Sequence, residues 1–129
     1  MNPWQAIAAV AVGGGLGAVT RFLVANWFVQ RLGGGFPWGT FFINISGALV
    51  IGFVLQLAQT RVGLNPYARA FVATGILGGY TTFSTYAFEM YTLSREAFSL
   101  QSVWYGFGSV LAGVSAVYVG VVLARWLLA

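Results

Sequence analysis

Asn44, Phe83, Tyr86, Tyr105 and Ser109 carry nearly all the chemistry this chain could perform, and each lies inside a stretch apolar enough to cross a membrane. An amide N–H, two hydroxyls and the positive edges of aromatic rings are groups that can take over the hydration of a small anion. Their spacing groups them. Thr40 lies one helical turn before Asn44, Phe83 and Tyr86 are i, i+3, and Tyr105 and Ser109 are i, i+4. Each has a plainer reading beside this one: an amide bonding the next helix, rings that pack, and hydroxyls bonded back to their own helix.

Between these groups runs Gly75-Ile76-Leu77-Gly78-Gly79-Tyr80-Thr81-Thr82-Phe83-Ser84-Thr85, which spoils an otherwise continuous span. Backbone that leaves the helical ladder in hydrocarbon is tolerated only against protein or a wet cavity. Such a break usually marks an ion site. A half-helix ending near Leu77 would present carbonyls suited to a cation such as sodium, and one starting near Thr82 would turn its N–H groups toward an anion.

The elements that must position these groups are membrane helices. The 129 residues are 59% hydrophobic and 6% charged, with mean hydropathy +0.83, which no soluble domain of this size matches. Absent cysteine and histidine exclude disulfides, thiolate or imidazole metal sites and Cys–His or Ser–His catalysis. With two glutamates and no aspartate an enzyme is the least supported class, and scattered arginines do not make a nucleic-acid surface. The fold expected is a single all-α transmembrane domain over 1–129, with spans at about 4–30, 38–60, 67–95 and 102–128 and a break near 78–82 in the third. Short Gly/Pro-containing loops separate them.

Arginine placement leaves the orientation open. One side holds Arg61, Arg69 and Arg125 and the other Arg31 and Arg95, so the chain either inserts both ways or is steered by one charge. Gly13 and Gly17, Gly47 and Gly52, and Gly106, Gly113 and Gly120 read as packing devices, the last three on one stripe. Four thin helices enclose little volume, which points any water-filled path to a subunit interface.

Gly17-Ala18-Val19-Thr20-Arg21-Phe22, Gly39-Thr40 with Asn44, Gly47 and Gly52, and above all Gly78-Gly79-Tyr80-Thr81-Thr82-Phe83-Ser84-Thr85 with Glu89 resemble the small fluoride channels called Fluc or CrcB. The resemblance covers nearly the whole length. It implies a fluoride-selective channel that exports fluoride passively across the cell inner membrane, built as an antiparallel, dual-topology homodimer with two pores. It further implies a structural, untransported sodium at the dimer centre, held by backbone carbonyls of Gly78 and Thr81. The family's anion-lining positions fall on Asn44, Phe83, Tyr105 and Ser109, with Thr40 nearby.

Two positions depart from the family pattern. Its second pore phenylalanine falls on Tyr86, whose hydroxyl could itself donate to fluoride, and a serine of its polar track falls on Gly113. Of the charges, Arg21 either snorkels to the interface or draws anions into a vestibule. Glu89 is expected to reach a vestibule or pair with an arginine, a gating or proton role being the lesser alternative, and Glu96 reads as a loop charge. Two rivals remain. A dual-topology proton-coupled drug exporter wants a carboxylate deep in the first span, where this chain has none. A non-conducting assembly subunit leaves the Gly-Gly-Tyr-Thr-Thr-Phe-Ser run unexplained.

Overall fold

The computed structural model describes residues 2–60, 63–96 and 99–128; Arg61 and the side chain of Glu96 lie outside the described residues. Helix α1 is Pro3–Leu32. Asn2 caps it by accepting from the Trp4 N–H (3.0 Å), a proline occupies its first turn, and Gly33 ends it at φ +74°, where a side chain would be strained. Its 30 residues reach ~45 Å, longer than a hydrocarbon core. Helix α2, Trp38–Ala58, starts directly after Pro37, and α6, Leu100–Leu128, closes the chain. These three are long and apolar enough to span a membrane.

The third crossing is assembled from pieces. A short α3, Pro66–Arg69, capped by Asn65, runs into a π-helix, Ala70–Leu77, and then into α4, Gly78–Tyr80. Thr81 and Thr82 leave the helix, Thr81 with ψ 156°, and α5, Phe83–Glu96, resumes it. Together they form a broken helix.

The break therefore differs in detail from the sequence expectation. The first half ends at Tyr80, three residues beyond Leu77, and Gly78 and Gly79 stay helical. The reason is steric. A Cβ on Gly79 would lie 3.1 Å from the Ala18 nitrogen, so this glycine permits contact with α1 and does not unwind the chain. The carbonyl of Leu77 is likewise not free. It accepts from the Thr81 N–H at 3.0 Å and from Thr81 Oγ1 at 2.9 Å.

Packing follows the small residues. On α1, Gly13 and Gly17 let the π-helix approach until an added Cβ would sit 3.1 Å from Gly75 Cα and 2.8 Å from the Tyr80 nitrogen. On the other side α6 lies along α2, where a Cβ on Gly120 would be 2.8 Å from the Phe53 nitrogen and one on Gly52 3.0 Å from Val117 Cα. The stripe on α6 does not serve one neighbour, however: Gly106 abuts Met90, while Gly113 meets nothing within 4 Å.

The ends are tied in pairs. The Asn2 N–H donates to Tyr67 Oη (2.9 Å), and Gln101 Nε2 donates to the Gly35 carbonyl (3.4 Å), so the α1–α2 loop and the start of α6 share one end. At that end Arg31 stacks 5.7 Å from Trp27 and Arg95 5.8 Å from Tyr91, as anchors do at a headgroup boundary. Apolar side chains such as Phe22, Leu111 and Trp126 face outward, and the buried set is small: Ile43, Leu77, Ala116 and Tyr105 among it. The chain is a multi-pass membrane protein.

Candidate functional site at the helix break

Thr82 has left the helical ladder and needs other partners for its backbone groups, and α2 supplies them. Asn44 Nδ2 donates to the Thr82 carbonyl (3.0 Å) while its Oδ1 accepts from the Thr82 N–H (2.8 Å). One amide thus satisfies both polar groups of a residue in the break, as a neighbouring strand would. The Thr82 side chain then caps α5: its Oγ1 accepts from the Thr85 N–H at 3.2 Å. Thr82 is 7% exposed.

Two further ties flank the break. Arg21 Nη1 donates to the Thr81 carbonyl at 3.2 Å, so the guanidinium is turned into the protein and not out to an interface. Ser46 Oγ and Tyr80 Oη share a hydrogen bond of 2.9 Å, and Gly47 leaves room for Thr81 Cγ2 and the Tyr80 ring.

A cavity of about 260 Å³ opens beside the break, lined by Asn44, Thr81, Thr82, Phe83, Tyr86 and Ser109 among others. Ser109 Oγ is buried there without a hydrogen-bond partner. A buried hydroxyl left unmatched costs about 1–3 kcal/mol. Across from it Phe83 and Tyr86 stand with ring centroids 5.7 Å apart at 43°. Phe83 is 78% exposed in the single chain.

The Tyr86 hydroxyl, which was expected to be able to donate to an ion, is engaged within the protein. It donates to the Gly106 carbonyl at 2.7 Å, an acceptor that α6 offers because Gly106 brings its backbone close to α5. Tyr86 contributes its ring alone.

Tyr105 and Thr40 form a separate cluster. Both give their hydroxyl hydrogen to Glu89, Thr40 Oγ1 to Oε1 at 2.8 Å and Tyr105 Oη to Oε2 at 2.5 Å. Glu89, expected to reach a vestibule or pair with an arginine, makes its hydrogen bonds to these two hydroxyls. Tyr105 is fully buried, with Phe36 of the α1–α2 loop edge-on against it at 5.4 Å and Tyr86 at 5.3 Å. Glu89 and Thr40 line a second cavity of about 190 Å³, walled by Gly33, Gly34 and Phe36 of that loop. Of the predicted pair on α6, Ser109 alone reaches the cavity at the break, and Tyr105 lies toward the vestibule.

Gly78 and Thr81 share a third cleft, about 300 Å³, with Asn44, Gly47 and Leu77. Gly78 is exposed, and the nearest atom to an added Cβ is the Ala73 carbonyl oxygen at 3.9 Å, so this strip of backbone is open from outside. Asn44 and Thr81 wall both this cleft and the cavity that Ser109 faces. Among the described residues no cluster of His, Cys, Asp or Glu could hold a metal ion. Carbonyl oxygens are the cation donors the site offers.

The match to known proteins spans nearly all of this architecture. Residues 8–121 match the model of the family described as CrcB-like protein, Camphor Resistance (CrcB). The chain belongs to the CrcB family. It is 43% identical over 120 residues to a protein of Chloroflexus aurantiacus named "Fluoride-specific ion channel FluC", covering 93% of this chain and 95% of that one. Proteins of the same name from Rhizobium meliloti and Aquifex aeolicus are each 40% identical over 119 residues, covering 92% of this chain and 95% and 96% of theirs. In this CrcB-family chain two contacts, one at the break and one at the Tyr105 cluster, escaped the reading of residue types. Ser46–Tyr80 is separated by 34 residues, and Phe36 buttresses Tyr105 from a loop. Alternation of small and aromatic residues at Gly47 and Tyr80 was the one signal for the first; the second had none.

Proposed function

We propose that this chain forms a fluoride-selective channel that lets fluoride leave the cell passively across the inner membrane. It is an ion channel by family and not an enzyme. The observation that carries the reading is Ser109 Oγ, a buried hydroxyl without a partner, on a residue that lines the same cavity as Asn44, Phe83 and Tyr86. One hydrogen of the Asn44 amide holds Thr82, which leaves the other for an ion. Fluoride, small and strongly hydrated, gains from O–H and N–H donors and from positive ring edges in place of water. Several weak sites in succession let it enter and leave. The vestibule at Thr40 and Glu89 forms one mouth of the path, with Tyr105 between the two cavities.

The working unit in this proposal is an antiparallel homodimer. Gly78, Phe83, Ser84 and Thr85 are exposed on a single chain at the break, and hydroxyls there would be costly in lipid unless a second copy covers them. The near balance of arginines between the two sides suits insertion in both orientations. The carbonyls of Gly78 and Thr81 fit a structural sodium: Gly78 is open, Thr81 has left the ladder, and two copies would double the oxygens one chain provides. When bound, that ion would supply fixed positive charge at the dimer centre.

The test is efflux from proteoliposomes followed with a fluoride electrode and, in parallel, a chloride electrode. Rapid fluoride release with chloride retained is expected. Release of neither ion, or of both alike, would overturn the proposal.

A further inference from the structure

Arg21 sits where the sodium reading needs an unencumbered oxygen. Gly13, Gly17 and Arg21 follow at four-residue intervals on one face of α1, and the first two bring that face against the backbone of the π-helix and α4. One turn beyond the closest approach, the Arg21 guanidinium meets the Thr81 carbonyl at 3.2 Å, partly buried. The carboxylate of Glu89 does not neutralise it, being held by Thr40 and Tyr105. A full positive charge is thus bonded to a carbonyl that a cation would use.

We infer that Arg21 is a built-in competitor for the cation at the break: its guanidinium occupies the Thr81 carbonyl and holds down the affinity of that site for sodium. The inference rests on the sodium reading above and assigns Arg21 a regulatory part in it. This part differs from snorkelling and from attracting anions, neither of which involves the Thr81 oxygen. Two consequences have opposite signs. As a structural tether, Arg21 would favour sodium by fixing the carbonyl, and its loss would weaken binding. As a competitor it opposes sodium, and its loss strengthens binding. Charge decides between them, because like charges ~5 Å apart at an effective dielectric of ~20 alter a binding constant by roughly two orders of magnitude before screening. Freeing one side of the carbonyl adds to that.

The experiment is equilibrium binding of radioactive sodium to purified protein in detergent, with sodium-dependent thermal stabilisation as a second readout. Arg21→Gln should bind sodium about tenfold or more tightly than the wild type, and Arg21→Lys, which keeps the charge, should stay within about threefold of it. Arg21→Met, which keeps the stem but not the charge, serves if the glutamine variant does not assemble. Sodium bound by the wild type but no tighter by the neutral variants would overturn the competitor role and leave the sodium site standing. No uptake by any of the proteins would overturn both.

Discussion

Replacing Asn44 by aspartate changes one NH₂ to oxygen, and its consequences can be worked from two distances. The hydrogen bond into Asn44 Oδ1 from the Thr82 N–H, 2.8 Å, survives the change. The one in the other direction does not, and a carboxylate oxygen then faces the Thr82 carbonyl across 3.0 Å. Losing that bond costs about 1 kcal/mol and leaving the carbonyl unmatched about 1–3 kcal/mol more. A carboxylate within a membrane helix adds up to about 2.5–3.5 kcal/mol, the figure for the helix centre. For permeation the charge matters most. A negative charge on the order of 6 Å from an anion, at an effective dielectric of ~20, repels it by about 3 kcal/mol, or roughly a hundredfold in rate. Asn44→Asp should therefore lower fluoride efflux from proteoliposomes about a hundredfold. Asn44→Ala separates the causes, since it drops both bonds to Thr82 and adds no charge, and should fall less. The size-exclusion profile of each variant reports assembly. Efflux from Asn44→Asp within about threefold of wild type, in protein that assembles normally, would refute the assignment of this cavity to the anion.

Two other substitutions probe the site and its frame. Ser109→Ala deletes a hydroxyl that has no partner in the protein, so it should leave the melting temperature unchanged while lowering fluoride efflux about tenfold, the worth of one ~1.4 kcal/mol contact; unchanged efflux would count against Ser109 as a donor to the ion. Gly120→Ala pushes a methyl to 2.8 Å from the Phe53 nitrogen and should destabilise the fold by about 1–3 kcal/mol, whereas Gly113→Ala, in open space, should melt like wild type; equal melting of the two would contradict the α2–α6 packing.

How much of this was legible in the residues depends on how local the cause is. Long apolar runs between Gly/Pro loops give α1, α2 and α6 nearly to the residue, because hydrocarbon thickness and loop chemistry act within one segment. The interruption of the third crossing was legible for the same reason. Its interior was not. Gly78 and Gly79 carry low helix propensity and read as the unwound part, yet both stay helical, Gly79 packed against α1, and it is Thr81 and Thr82 that break the ladder. The π-helix over Ala70–Leu77 leaves no mark in residue type, since it concerns which carbonyl each N–H reaches. At the site, Asn44, Phe83 and Ser109 were found as residue types, but what their polar atoms do was not. The tie from Asn44 to Thr82 spans 38 residues and that from Arg21 to Thr81 spans 60, distances that one chain without its fold cannot bridge.

The same ties explain why a break can be kept in so small a protein. Two extended residues in hydrocarbon expose four backbone groups, each costing several kcal/mol if left bare. Here Asn44 takes two of them, the Leu77 carbonyl takes the Thr81 N–H, and Arg21 takes the Thr81 carbonyl. The backbone groups of Thr81 and Thr82 are therefore satisfied within a single chain, by α1, α2 and the turn that precedes them. What single-chain folding leaves unmatched is Ser109 Oγ, the second hydrogen of the Asn44 amide and the exposed carbonyl strip at Gly78. These are donors on one side of Asn44 and acceptors on the other. On the proposal above, donors on one side of Asn44 and acceptors on the other would hold ions of opposite sign a few ångströms apart, and each would lower the cost of the other.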